Sequence, residues 1–122
     1  MAEGFGLLER RLAAIIQTRH QGQEQAITVR ELQRQLLISG RQIRAALARL
    51  VVVHHLPIAS TVHPPYGFYL ITTEAEAREC LAQYWSRVEE LAKRTKILAA
   101  VVKKQFGVEI QLELRFDASA DR

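Results

Sequence analysis

Apolar residues along this chain repeat with a helical period at first, then with a strand period, and then the helical period returns for a long run. Leu8, Leu12, Ile15 and Ile16 recur at helical spacing and predict a helix from Gly6 to about His20, which Gly22 breaks. Thr28 and Glu31 form a capping-box pattern, in which the Thr28 hydroxyl takes the amide of Glu31 and the Glu31 carboxylate reaches back to the amide of Thr28. Ile27 and Leu32 are placed as a hydrophobic staple, and Leu32 and Leu36 continue the stripe. The same grammar returns eleven residues on, with Ser39 as cap, Gln42 as box partner, and Ile38 and Ile43 as staple. A second short helix is therefore expected, turning Ile43, Ala46, Leu47 and Leu50 toward a core. Gly40 lets the two helices approach closely at the bend.

Beyond Leu50 the period changes. VVVHHLPIAS is rich in β-branched residues, Thr61 to Gly67 carries turn chemistry with two adjacent prolines, and Phe68 to Ile71 reads as a second strand. A β-hairpin with a proline-stiffened tip follows. Thr73 and Glu76 form a third capping pattern, after which nothing breaks a helix until Gly107, about thirty residues on. Ala77, Leu81, Tyr84, Val88, Leu91, Leu98 and Val102 follow an alternating four-three spacing, with Thr95 in the remaining place. Trp85, Ala92, Ala99 and Phe106 run beside them as a second seven-residue series. The first half of this stripe is expected to pack on the preceding domain and the second half on a partner chain. Finally VEIQLELRF alternates strictly, with Val108, Ile110, Leu112, Leu114 and Phe116 on one face. A strand over 107–116 must join the hairpin or pair with a symmetry mate, because one strand cannot satisfy its own backbone. The last residues, 117–122, are expected to be a disordered tail.

The order helix, helix, helix, hairpin is that of a winged helix domain, in which the third helix enters a DNA major groove and the hairpin touches the backbone. Charge agrees with that order. Residues 1–72 carry eight Arg or Lys against four acids, while residues 73–122 carry nine of each. Ala26 to Leu50 alone holds Arg30, Arg34, Arg41, Arg44 and Arg49 against Glu31. An arginine excess concentrated on one helical pair is the electrostatic footprint of polyanion binding, and a bare solvated helix face is its bland counterpart.

A resemblance enters on four stretches: Ser39-Gly40-Arg41-Gln42-Ile43-Arg44, Leu56-Pro57-Ile58-Ala59-Ser60, Tyr66-Gly67-Phe68-Tyr69, and Glu74 opening a long Arg- and Lys-bearing helix. Together, over roughly residues 26–104, they resemble the winged helix domains of phage and prophage replication-associated proteins. His55 and Leu56 stand where that family usually has a glycine. The resemblance implies DNA binding in replication or transcription control.

Other chemistry is poorly supported. His54, His55 and His63 have no Cys or carboxylate between Leu50 and Thr73 to complete a metal site, and strand neighbours face opposite sides. Ser60 has no acidic orienting partner nearby and no strained nucleophile turn. Neither a cofactor, a metal, a catalytic constellation nor a small-molecule substrate is expected. With one cysteine, no Asn-X-Ser/Thr triplet, charges interrupting the N-terminal apolar run and no membrane-length segment, the expected location is the cytoplasm.

The fold class expected is α+β, mostly α: a winged helix-turn-helix over 1–72, a long helix over 73–106 and a terminal strand. The function expected is sequence-dependent binding of double-stranded DNA by a homodimer. Arg41, Gln42 and Arg44 are placed nearest the base edges with Ser39 and Ala45 beside them, Arg30 or Arg49 on phosphates, and His63 and Tyr66 at the wing. Leu91, Leu98, Val102, Ile110, Leu112 and Leu114 are assigned to the dimer interface. The alternative is a protein-interaction module of a larger assembly, which would not require the arginine face.

Overall fold

A computed structural model describes residues 6–61 and 63–110. It is mostly helical with one small antiparallel sheet: α1 (Leu7–Arg19), α2 (Val29–Leu36), α3 (Gly40–Val52), β1 (Ile58–Thr61), β2 (Gly67–Leu70) and α4 (Glu74–Phe106). The chain divides into two units, Met1–Gln83 and Tyr84–Arg122, and α4 runs across the division.

In the first unit the predicted stripes meet. Leu12 and Ile16 of α1, Leu32 and Leu36 of α2, Ile43, Ala46, Leu47 and Leu50 of α3, and Ile58 of β1 share one buried cluster, with Ile27 and Val29 at the start of α2. The staple residue Ile38 is only partly buried, against the same cluster. Pairing in the hairpin sets Ile58 opposite Leu70, Ala59 opposite Tyr69 and Ser60 opposite Phe68. Because strand neighbours point to opposite faces, Ile58, Phe68 and Leu70 serve the main core, while Ala59 and Tyr69 form a second, smaller cluster with Cys80 of α4. Burial pushes the Tyr69 hydroxyl above its ordinary pKa.

Two features of the hairpin depart from the expected layout. The run Val51 to His55 is not strand. α3 continues through Val52 and ends with the amide of His55 on the Val51 carbonyl (3.1 Å) and the amide of Leu56 on the Leu50 carbonyl (2.9 Å). The first of these is the 5→1 bond of an αL helix end, and His55 takes the left-handed conformation that it requires, φ 59°. Glycine is the usual residue in that conformation, and here a histidine holds it. Leu56 then packs, partly buried, against the main core.

The second departure concerns the edge of β2. The linker between α1 and α2 runs beside it: Ile27 exchanges both backbone bonds with Phe68 (2.9 and 2.7 Å), Gly22 donates to Leu70, and Leu70 donates to His20. This close approach explains Gly67. A Cβ there would lie 2.2 Å from the Ile27 carbonyl oxygen, and its φ of 134° suits glycine alone.

All three capping hydroxyls act as predicted, and the Thr73 amide also reaches the Glu76 carboxylate, as a full box requires. The amides of Glu31, Gln42 and Glu76 donate to Thr28, Ser39 and Thr73. Glu31 turns instead to Arg34 and Gln35, Gln42 accepts from the Ser39 hydroxyl, and Glu76 also accepts from the amides of Thr72 (2.9 Å) and Gln23 (2.8 Å). Partial burial pushes the Glu76 carboxyl up, but the amides aimed at it outweigh that and leave its pKa lowered. Glu76 thereby ties the start of α4 to the α1–α2 linker.

α4 ends at Gly107, whose φ is 69° and whose amide donates to Lys103. The sequence predicts that the first half of its heptad stripe packs on the preceding domain, and there the exposure of its residues differs from that expectation. Of its 33 residues only Cys80 is buried, and Leu81, Tyr84 and Trp85 are exposed. Of the strand expected over 107–116, residues 107–110 have no regular structure, and the remainder lies outside the described residues, as does the expected tail over 117–122.

Candidate nucleic-acid interface

α2 and α3 meet through a tight turn whose geometry is set by two residues. Leu37 takes a left-handed conformation, φ 58°, and its amide caps the Gln33 carbonyl (2.8 Å). Gly40 opens α3 so close to α2 that a Cβ there would lie 3.2 Å from Gln33 Oε1 and 3.3 Å from Val29 Cγ1. The Ser39 hydroxyl is committed to the cap, accepting from the Gln42 amide and donating to Gln42 Oε1, both at 3.2 Å. Gln42 therefore presents its NH2 outward rather than its carbonyl.

α3 buries Ile43, Ala46, Leu47 and Leu50, and that choice fixes what its other side presents. Arg41, Arg44, Ala45 and Ala48 stand at i, i+3, i+4 and i+7 on the opposite face, and all are exposed. The two arginines occupy the N-terminal part of this face and the two alanines keep it low beyond them. Among the described residues, Arg41, Arg44 and Arg30 of α2 make no ion pair, whereas Arg34 is spent on Glu31 at 3.0 Å. The α3 face thus keeps two full positive charges, and Arg30 is a third on α2.

Arg49 is reassigned. Its Nε donates to Glu9 Oε2 across α1 and α3, although half of its side chain remains exposed. Glu9 also takes the Gly6 amide at 3.2 Å and faces His54 Nε2 at 3.1 Å. Since a carboxylate only accepts, the His54 Nε2 carries the proton in this contact. Hydrogen bonding from Arg49 above all, with the Gly6 amide, holds the Glu9 carboxyl below the ordinary range. The cluster is a tie between the first and third helices, and its members lie 40 and 45 residues apart in sequence, beyond the reach of any local pattern.

At the hairpin tip Tyr66 is 57% exposed. His63 is exposed too, but its Nε2 lies 3.2 Å from Glu79 Oε2 of α4, so it is not the companionless histidine that its own segment indicates. Thr61 Oγ1 organises the tip, accepting the His63 amide (2.9 Å) and donating to the His63 carbonyl (2.7 Å). Among the described residues no group of three His, Cys, Asp or Glu side chains is placed to hold a metal ion.

In the second unit Leu91 and Leu98 are exposed, Val102 is half-buried, and Ile110 is exposed. Leu112 and Leu114 lie outside the described residues. Among the described residues no helix is long and apolar enough to cross a membrane. Compared with known protein families, curated proteins and solved structures, the chain matches none.

Proposed function

We propose that this chain binds double-stranded DNA as a dimeric winged helix protein, laying the exposed face of α3 in the major groove. The observation that carries the reading is the Arg41-Arg44-Ala45-Ala48 face: solvent-facing, low beyond its arginines and not neutralised by any acid among the described residues. A groove-reading helix needs those properties, because guanidinium groups pair bidentately with guanine O6 and N7 and small residues admit the base edges. Gln42 adds an outward amide donor, and Arg30 at the start of α2 is placed as a phosphate contact. Tyr66 and His63 form the wing contact in this reading, with His63 shared between Glu79 and a phosphate. The resemblance to phage and prophage replication-associated domains suggests a role in replication or transcription control.

A protein-interaction module is the second reading, favoured by the uncovered apolar face of α4. Fluorescence anisotropy with a labelled duplex separates the two. The Arg41→Ala, Arg44→Ala double variant should lose at least about tenfold in affinity, since each base-edge arginine contributes on the order of 1–3 kcal/mol. An unchanged affinity and salt slope would reject the DNA reading and leave the interaction module.

A further inference from the structure

The apolar face of α4 is uncovered along nearly its whole length, and the pattern of charge around it carries information about what covers it. Leu81, Val88, Thr95 and Val102 occupy one core position of the heptad, and Tyr84, Leu91 and Leu98 the other. Trp85, Ala92, Ala99 and Phe106 widen this seam on one side, while Cys80, Arg87, Arg94 and Val101 flank it on the other.

Charge divides α4 in two along its axis. From Glu74 to Glu90 it holds Glu74, Glu76, Glu79, Glu89 and Glu90 against Arg78 and Arg87, five acids less two bases, a net −3. From Leu91 to Phe106 it holds Lys93, Arg94, Lys96, Lys103 and Lys104 with no acid at all, a net +5. Each end suits its own helix dipole, with acids at the N-terminus and bases at the C-terminus. Two such helices laid side by side in parallel would stack +5 on +5. Laid head to tail, they set the acidic half of each on the basic half of the other and oppose the two macrodipoles. We infer that α4 pairs antiparallel with α4 of a second copy of this chain.

Side-chain sizes along the widened seam fit the same orientation. In an antiparallel pair the row Trp85, Ala92, Ala99, Phe106 faces its own counterpart. Crossing at Ala92 puts the indole of Trp85 against Ala99 of the partner subunit and leaves room at the centre for two alanines. A parallel pair would instead lay that row against the row Cys80, Arg87, Arg94, Val101 of the partner subunit, whereas the antiparallel pair sets that second row on its own counterpart. Over the stretch from Leu81 to Phe106 the helix runs about 38 Å at 1.5 Å per residue, enough for a paired seam.

This orientation rests on the dimer of the proposed function and not on its DNA contact, so the two can fail separately. Disulfide trapping of the full chain tests it. In a Cys80→Ala background, single cysteines are introduced by Ala92→Cys, Leu81→Cys or Val102→Cys and oxidised mildly. The antiparallel pair brings together the two copies of residue 92 and separates the copies of residues 81 and 102. Covalent dimer is therefore expected from Ala92→Cys alone. Efficient trapping through Leu81→Cys or Val102→Cys would mean a parallel pair and overturn the inference while leaving the dimer and DNA readings intact. Sedimentation of the unaltered chain gives a second readout that no substitution can spoil. Because the seam is flanked by opposite charges, raising salt from about 0.05 to about 0.5 M should weaken dimerisation several-fold. Dimerisation that strengthens with salt, or a chain that stays monomeric at both ionic strengths, would overturn it too, and anisotropy on the same samples reports separately whether DNA still binds.

Discussion

Residues up to Gln83 and residues from Tyr84 onward are similarly supplied with large apolar side chains, yet the two regions use them in opposite ways. In the first, Leu12, Ile16, Leu32, Ile43 and Leu50 are fully buried against one another. In the second, Tyr84, Trp85, Leu91, Leu98 and Phe106 all stay exposed, and Leu98 is 60% so. The difference is one of partners rather than of hydrophobicity: α1, α2, α3 and the hairpin cover one another, whereas a single helix has no second element of its own region to cover it. An apolar stripe therefore states that something must cover it, and says by itself nothing about what.

Cutting equal side chains from the two regions gives the sharpest contrast. Leu32→Ala should lower unfolding stability by about 3–5 kcal/mol, the cost of a cavity in a core that cannot fully collapse. Leu98→Ala, measured in urea at a concentration too low for association, should change it by less than about 0.5 kcal/mol. Comparable losses for the two would erase the distinction.

The Glu9 tie gives a smaller effect, confined to the first region. Glu9→Gln should cost about 1–2 kcal/mol near neutral pH through the weakened charge-assisted bonds to Arg49 and His54. Its pH dependence follows from the sign of the shift. The folded-state pKa lies below the unfolded one, so the contribution is complete above the ordinary carboxylate range and disappears as pH falls through the lowered folded value. Acid titration of the chain should accordingly show a stability loss in that window which Glu9→Gln flattens; equal slopes would mean that the carboxylate is not tied in solution.

The smallest effect is a gain. Leu37 is 87% exposed and holds a left-handed backbone, so Leu37→Gly removes strain without opening a cavity. It should stabilise the first region by about 0.5–1 kcal/mol in thermal unfolding. A loss would show that the exposed leucine side chain has a packing role.

Much of this was legible in the residues, because much of it is local. The caps at Thr28, Ser39 and Thr73 lie within three residues of the amides they accept, and the stripe of α3 is a matter of period alone. The same locality marks where reading failed. Val51 to Val53 carry strand propensity, but an αL end at His55 keeps them in helix and turn, and no single side chain announces that end. Arg49 looked like one more surface arginine because Glu9 is distant in sequence, and His63 looked companionless because Glu79 sits on another element. The pairing of the α1–α2 linker with β2 is equally non-local, and its only trace in the chain is Gly67.

The central claim is that positive charge matters by its place on α3 and not by its sum. Anisotropy titrations against one duplex, at one salt concentration, can compare Arg41→Ala with Arg44→Ala against Arg10→Ala with Arg11→Ala, two double variants of equal net charge. Arg10 and Arg11 are exposed on α1, outside the proposed groove-facing surface. The first pair should weaken binding at least about tenfold and the second by no more than about threefold, the modest loss expected of charges that act only at a distance. Equal losses from the two pairs would contradict the placement, and no loss from either would contradict DNA binding through this face.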